Sequence, residues 1–216
     1  MTERKSPNIQ GGLRKVHVGC GPHAAMTDWW NIDIRNFRGI DEVMDASEPW
    51  RYIDLDYVFA EHFIEHLPVD RALQFLIHAG NSLRTGGVIR LSTPNLEWVI
   101  YTHFQPGQVD LEKRLMDTLR MNRAFHGWGH QFLYSKEVLL HLMQEIGYQE
   151  IALCQYGQSS HLELNNLEKH GKFSIDGGYP SVIIVEASRG RSSLALPIDL
   201  AAYLDENYLR YVAAGH

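Results

Sequence analysis

The sequence predicts an α/β layered domain whose strands carry a site at their carboxyl ends, and three observations predict it. The β-branched Val16 and Val18 stop abruptly at Gly19-Cys20-Gly21, the pattern of a buried strand ending in a turn that brings bare backbone close to a ligand. Further short apolar runs follow, around Ile32, Val43 and Val58, and each closes in polar residues as a ligand edge would. Leu73, Leu76, Ile77, Gly80 and Leu83 then recur at helical spacing ahead of the run Val88–Ser92. The order β, β, β, β, α, β with short connections is that of an α/β domain.

At 216 residues and 44% hydrophobic content, the chain can bury about 70% of its unfolded surface and build one good-sized core. One domain is the natural count, expected over residues 13–190. Residues 1–12 are polar, carry Pro7 and Gly11-Gly12, and read as a flexible arm, because a signal peptide needs an apolar stretch. No run approaches the ~18 apolar residues of a membrane span, so a cytoplasmic protein without membrane contact is expected. Two cysteines, one of them inside the glycine turn, argue against a disulfide scaffold. The formal net charge of −6 argues against the broad basic surface that phosphate-driven nucleic-acid binding requires.

Taken in order, Asn31-Ile32-Asp33-Ile34 reads as the end of a second strand that leaves a carboxylate at its carboxyl edge, where open parallel sheets bind ligands. Asp33 follows Gly21 by only 12 positions. A parallel crossover normally takes a dozen or more residues, so the first helix is expected to shrink to a turn or loop. Residues 42–46 predict a third strand with Asp45 at its end, and residues 55–60 a buried fourth one broken at Glu61-His62. Pro68 opens a helix that Gly86-Gly87 closes, and Val88–Ser92 is the fifth strand.

Residues 96–135 mix Trp98, Tyr101, Phe104, Phe125 and Trp128 with Lys113, Arg114, Arg120 and Arg123, which suits an aromatic-rich cover over a flat or apolar substrate. Ser135 caps a helix whose apolar face is Val138, Leu139, Leu142, Met143 and Ile146, with Gly147 at its end. Two more strands follow at Ile151–Cys154 and Val182–Val185. The insertion 157–180 between them exceeds the ~12–15 residues beyond which connections are usually functional or mobile. In the tail, residues 191–216, Leu200, Tyr203, Leu204 and Tyr208 have partly helical spacing, equally suited to packing on the sheet or to a homodimer contact.

Three readings of the glycine turn compete. Gly19 and Gly21 serve a tight turn at no steric cost, or Gly19-x-Gly21-x-x-Ala24 is a dinucleotide fingerprint. The fingerprint's acidic partner lies about 20 residues on, so the spacing to Asp33 counts against an NAD(P)-dependent oxidoreductase. The third reading is a resemblance. Val-His-Val-Gly-Cys-Gly with Trp-Trp-Asn-Ile-Asp-Ile resembles the opening of class I S-adenosylmethionine (SAM)-dependent methyltransferases, closest to the methyltransferase type 11 group. Residues 61–67, residues 83–95, Gly129–Tyr134 and Leu139–Tyr148 resemble later family segments in the right order.

That resemblance implies a Rossmann-like seven-stranded methyltransferase sheet, mostly parallel with one antiparallel strand, and SAM as cofactor. It implies SAM contacts from Gly19, Cys20, Gly21, Asp33, Ile34, Asp45, Ala46 and Glu61, with Asp33 on the ribose hydroxyls and Asp45-Ala46 facing the adenine. His17 stands where the family often has an acidic residue. The activity implied is methyl transfer to an oxygen or nitrogen of a small-molecule substrate, and the alternative is a catalytically silent SAM-binding scaffold.

Methyl transfer from a sulfonium chiefly needs donor and nucleophile held about 3–3.5 Å apart and aligned, so no large catalytic constellation is required. A base near neutral pKa helps with a hydroxyl acceptor, and histidine is the ordinary candidate. His62 and His66 are four apart and would share a helix face, as would His126 and His130 if that segment is helical. His66 and His130 also coincide with family histidine positions and rank first. Glu61 and Glu65 beside these histidines offer metal-ligand chemistry, but no His-Glu-x-x-His occurs and no metal is expected.

Overall fold

The computed structural model describes residues 13–170 and 173–213; the arm expected at 1–12 lies outside the described residues. In chain order the elements are β1 (Lys15–Val18), β2 (Trp30–Asp33), β3 (Glu42–Val43), β4 (Leu55–Glu61), α1 (Val69–Ser82), β5 (Leu83–Pro94), α2 (Leu96–His103), α3 (Leu111–His126) and α4 (Lys136–Glu145). There follow β6 (Tyr148–Leu153), the hairpin β7 (Ile175–Asp176) and β8 (Tyr179–Pro180), β9 (Val182–Arg189), α5 (Ile198–Leu204) and α6 (Arg210–Ala213). Seven strands form one sheet in the order β3-β2-β1-β4-β5-β9-β6, and β9 alone runs antiparallel to its neighbours. The strand order reverses beside β1, which pairs with β2 on one side and β4 on the other. Such a switch point opens a crevice at the strands' carboxyl ends.

The two faces of the sheet are covered in different ways. On one, Val16, Val18, Ile32, Val58, Ile89 and Leu91 meet the apolar stripes of α1 (Leu73, Leu76) and α4 (Leu139, Met143) in the main core. Each such buried side chain contributes roughly 1.5–3 kcal/mol. The other face lacks a first helix: between Gly19 and Trp30 there are only turns and irregular chain, as the short spacing predicts. Its apolar cluster is small, with Trp29, Phe59, Val88 and Leu164.

Residues 155–170 cover this second face through buried polar contacts. Arg90 of β5 is fully buried. Its guanidinium donates to Glu168 at 2.6 Å, to Glu186 at 2.5 Å and to the Gln158 carbonyl at 3.0 Å. A buried charge is tolerated only when paired and hydrogen-bonded in this way. The second Glu168 oxygen accepts from the Gly157 N–H, and Glu61 accepts from the N–H groups of Lys169 and His170 at 2.7 and 2.8 Å. Much of the 157–180 insertion is thus fastened to the sheet, and the β7–β8 hairpin leans on α2 through the Trp98 indole N–H to Asp176 bond of 2.7 Å and the Tyr101–Tyr179 ring contact.

Several boundaries differ from expectation. The third strand has two residues instead of five, because the Asp45 carboxylate accepts from the Ser47 N–H and hydroxyl and turns the chain there. The helix expected to run to Gly86-Gly87 ends at Ser82, where Leu83 adopts extended geometry and pairs with Leu55. The glycine pair instead lies inside a longer β5, at an irregular register where a Cβ on Gly87 would stand 2.7 Å from the Leu55 carbonyl oxygen. In the tail, Leu196, Leu200 and Leu204 pack on the main core and Tyr208 meets Phe132. Among the described residues no helix is long and apolar enough to cross a membrane.

His17 points to the second face, where its ring packs on Phe59 at 5.2 Å between centroids. Burial pushes its pKa down to about 4, with Lys169 acting in the same sense and a hydrogen bond with Asn31 opposing. The folded state therefore excludes the proton that the unfolded chain takes up near pH 6.5. This contribution to stability is whole above pH 6.5 and is lost as the pH falls toward 4. Thermal melts across that window should show a loss of up to about 3 kcal/mol, and His17→Phe should flatten the dependence.

Candidate active site

The glycine turn and the second-strand carboxylate are tied directly together. The Gly21 N–H donates to Asp33 Oδ2 and the Arg35 N–H to Asp33 Oδ1, each at 2.9 Å. The Gly19 N–H meanwhile bonds the Ile32 carbonyl at 2.9 Å. Gly19 has φ +65° and Gly21 φ +59°. At Gly19 a second constraint applies, since an added Cβ would lie 2.3 Å from the Phe63 ring.

Around this turn opens a cavity of about 610 Å³, and Gly19, Cys20, Gly21, Asp33, Ile34, Asp45, Ala46 and Glu61 all line it. Their circumstances differ. Burial, with Asp33 close by, pushes the Cys20 thiol up to about 11, so it stays protonated and unreactive. Burial also raises the Asp45 carboxyl, but bonds from Ser47 and Arg71 outweigh it and hold the group below its usual value. Glu61 spends one oxygen on the Lys169 and His170 amides, so it positions the insertion as well as lining the cavity. His17 is absent from the lining, because it faces the other side of the sheet.

A second cavity of about 480 Å³ lies beneath α2 and α3 and shares His62, His66, Trp128 and His170 with the first. Trp98, Val99, His103, Ala124 and Leu133 give it apolar and aromatic walls, with Glu65 and His130 among the polar ones. Asn95 sets the entry to α2, its side chain accepting from the Glu97 N–H and donating to the Pro180 carbonyl. The Gln131 and Phe132 N–H groups both donate to the Glu65 carbonyl, at 2.7 and 3.2 Å. Those two bonds bring His130 beside His66, with ring centroids 5.2 Å apart.

The predicted histidine pairs do not share helix faces. His62 has φ +47° and precedes a single 3-10 turn, Ile64–His66. At the other pair α3 ends at His126, and Trp128 with φ +56° turns the chain before His130. His126 is exposed and lines neither cavity. His66 and His130 meet across two segments instead, which periodicity cannot reveal. A positive φ at a residue as bulky as histidine or tryptophan is costly, and such strain gathers at functional sites.

One tautomer follows from a partner that only accepts. His130 Nδ1 lies 2.7 Å from the Ala124 carbonyl oxygen, so Nδ1 carries a proton and Nε2 is left for a ligand, while His62 Nδ1 lies 2.9 Å from Glu65 Oε1. Glu65 is wholly buried, and its other oxygen accepts from the Thr93 hydroxyl at 3.0 Å. Sequence reasoning missed His103 and His170 as cavity residues. His170 carries no local signal, for it arrives through Glu61's grip on the insertion.

The two constraints on Gly19 are separable by experiment. Gly107 also has positive φ, +80°, yet nothing stands within 4 Å of a Cβ there. Gly107→Ala should therefore cost about 1 kcal/mol from backbone strain alone. Gly19→Ala should cost at least about 2 kcal/mol more by chemical denaturation, since Phe63 must also move.

No sequence-family profile matches the chain, and no curated protein matches it in sequence. Solved structures do match in fold. A SAM-dependent methyltransferase of Archaeoglobus fulgidus is 17% identical with a TM-score of 0.52, over 84% of this chain and 88% of that one. A SAM-dependent methyltransferase of Thermotoga maritima is 15% identical with a TM-score of 0.53, over 83% of each. The CMeT domain of the citrinin polyketide synthase is 11% identical with a TM-score of 0.50, over 83% of this chain and 47% of that structure. With its seven strands, single antiparallel member and carboxyl-edge crevice, the chain has the fold of the class I SAM-dependent methyltransferases.

Proposed function

We propose that this chain is a SAM-dependent methyltransferase that transfers the methyl group to an oxygen or nitrogen of a small-molecule acceptor. The observation that carries the reading is the junction of the two cavities at His62, His66, Trp128 and His170. A ligand laid along the glycine turn presents its end to a second, aromatic-walled chamber, the arrangement that an in-line displacement requires. The similar folds of two SAM-dependent methyltransferases support the same cofactor.

In this reading Asp33 holds the ribose. Its oxygens already accept one backbone N–H each, and a carboxylate has about four lone-pair sites, so two hydroxyl donors can be added without breaking the turn. The methionine part lies along Gly19–Gly21. Ile34, left 65% exposed at the cavity's edge, and Ala46 give the adenine an apolar seat, with Asp45 beside them. His66 and His130 face the acceptor's reacting atom, and the bulky walls of the second chamber exclude water from it.

Calorimetry with S-adenosylhomocysteine should give one site per chain, and Asp33→Ala should weaken it at least about tenfold, the loss expected for hydrogen bonds to a charged group. Incubation with methyl-labelled SAM and a metabolite extract should move label into small molecules. Binding without transfer would instead leave the silent scaffold, and a larger thermal shift with NAD than with S-adenosylhomocysteine would end the methyltransferase reading.

A further inference from the structure

At the junction of the two cavities, Glu65, His66 and His130 each place a ligand-type atom within 4.8 Å of the others'. We propose that they bind a divalent first-row transition-metal ion that takes the acceptor's oxygen as a further ligand. The proposal rests on the methyltransferase reading and narrows its acceptor to one with a hydroxyl or phenolic oxygen.

The donor set comes first. Two imidazoles and one carboxylate form a catalytic rather than a structural set, because three protein ligands leave coordination positions open. Metal–ligand bonds of about 2.0–2.2 Å place ligand atoms roughly 3–4 Å apart, so side-chain rotation of under about 1 Å completes the site. The supports behind two of the ligands are already in place. A metal-bound histidine characteristically donates its other ring N–H to a backbone carbonyl or carboxylate, and His130 does so to Ala124 at 2.7 Å. Glu65 is fixed by the Thr93 hydroxyl at 3.0 Å and by His62 at 2.9 Å, and its carboxylate has lone pairs to spare.

Burial and access agree with this assignment. Glu65 is wholly buried, and among the described residues its carboxyl oxygens are hydrogen-bonded to the Thr93 hydroxyl and the His62 imidazole, which leaves lone pairs free for a cation. All three residues line the second cavity and His66 lines both, so the open positions of the ion face the place of the acceptor beside the cofactor.

The step balances without an added reagent. An acceptor hydroxyl on the ion is acidified as metal-bound water is, and its proton passes to water. The oxygen's electron pair then forms a bond to the methyl carbon while the carbon–sulfur bond breaks. Its pair goes to sulfur, giving neutral S-adenosylhomocysteine and the methyl ether.

The test uses the full chain stripped with EDTA and titrated calorimetrically with Zn²⁺, and in parallel with Co²⁺ by visible absorption. One equivalent should bind, with d–d bands for Co²⁺. Glu65→Gln, His66→Gln and His130→Ala should each weaken binding at least about tenfold, whereas His141→Ala on the exposed face of α4 should leave it unchanged. Thermal melts and S-adenosylhomocysteine titration of each variant establish its fold; His66→Gln and His130→Ala, at sites that are not fully buried, decide the matter if Glu65→Gln does not fold. Absence of a stoichiometric site, or affinity indifferent to both histidine variants, overturns the metal proposal. S-adenosylhomocysteine binding is scored separately: its retention without metal binding leaves the methyltransferase reading standing, and metal binding without it sinks that reading instead.

Discussion

The connection between β1 and β2 is too short to hold a crossover helix, and much of the molecule answers that constraint. Its turn keeps Gly21 within one hydrogen bond of Asp33, which shapes the first cavity. It also leaves one sheet face without the helix that would normally cover it. Residues 155–170 cover that face, and because they are irregular chain apart from one 3-10 turn at Leu162–Leu164, their polar groups must be satisfied in place. Arg90, paired with Glu186, does this from within the sheet by donating to Glu168 and to the Gln158 carbonyl, and Glu61 does it at the carboxyl edge.

One consequence reaches the site. Glu61 accepts from the Lys169 and His170 amides, so the contact that fastens the insertion also sets His170 at the mouth of both cavities. A change at Glu61 would disturb the first cavity's wall and the cover of the second face together, because one side chain serves both.

The second cavity follows a different logic. Its histidines come from segments 64 residues apart in sequence, His66 and His130, and what joins them is a backbone carbonyl, that of Glu65, accepting from Gln131 and Phe132. Buried polar groups held in this way stay fixed, because breaking the bonds would leave unsatisfied donors. The strain at His62 and Trp128, both with positive φ, is held in place by these contacts. An ordered cluster of imidazoles and a buried carboxylate results, on which acceptor chemistry can be built.

Local pattern determined a good deal. The β-branched run before Gly19, the spacing from Gly21 to Asp33, and the Ser135 cap announce strand, turn and helix, because those features act within a few residues of one another. That Gly19, Gly21, Asp33, Asp45 and Glu61 share one cavity was legible for the same reason: they sit at or just beyond consecutive strand ends. Tertiary structure decided what spans the chain. It moved the glycine pair at 86 and 87 into β5 because Leu83 pairs with Leu55, and it left His126 outside while bringing His130 to His66. It also turned His17 to the far face and delivered His170 through Glu61. Periodicity records which way a side chain points within its own element; only long-range hydrogen bonds and burial fix which elements meet.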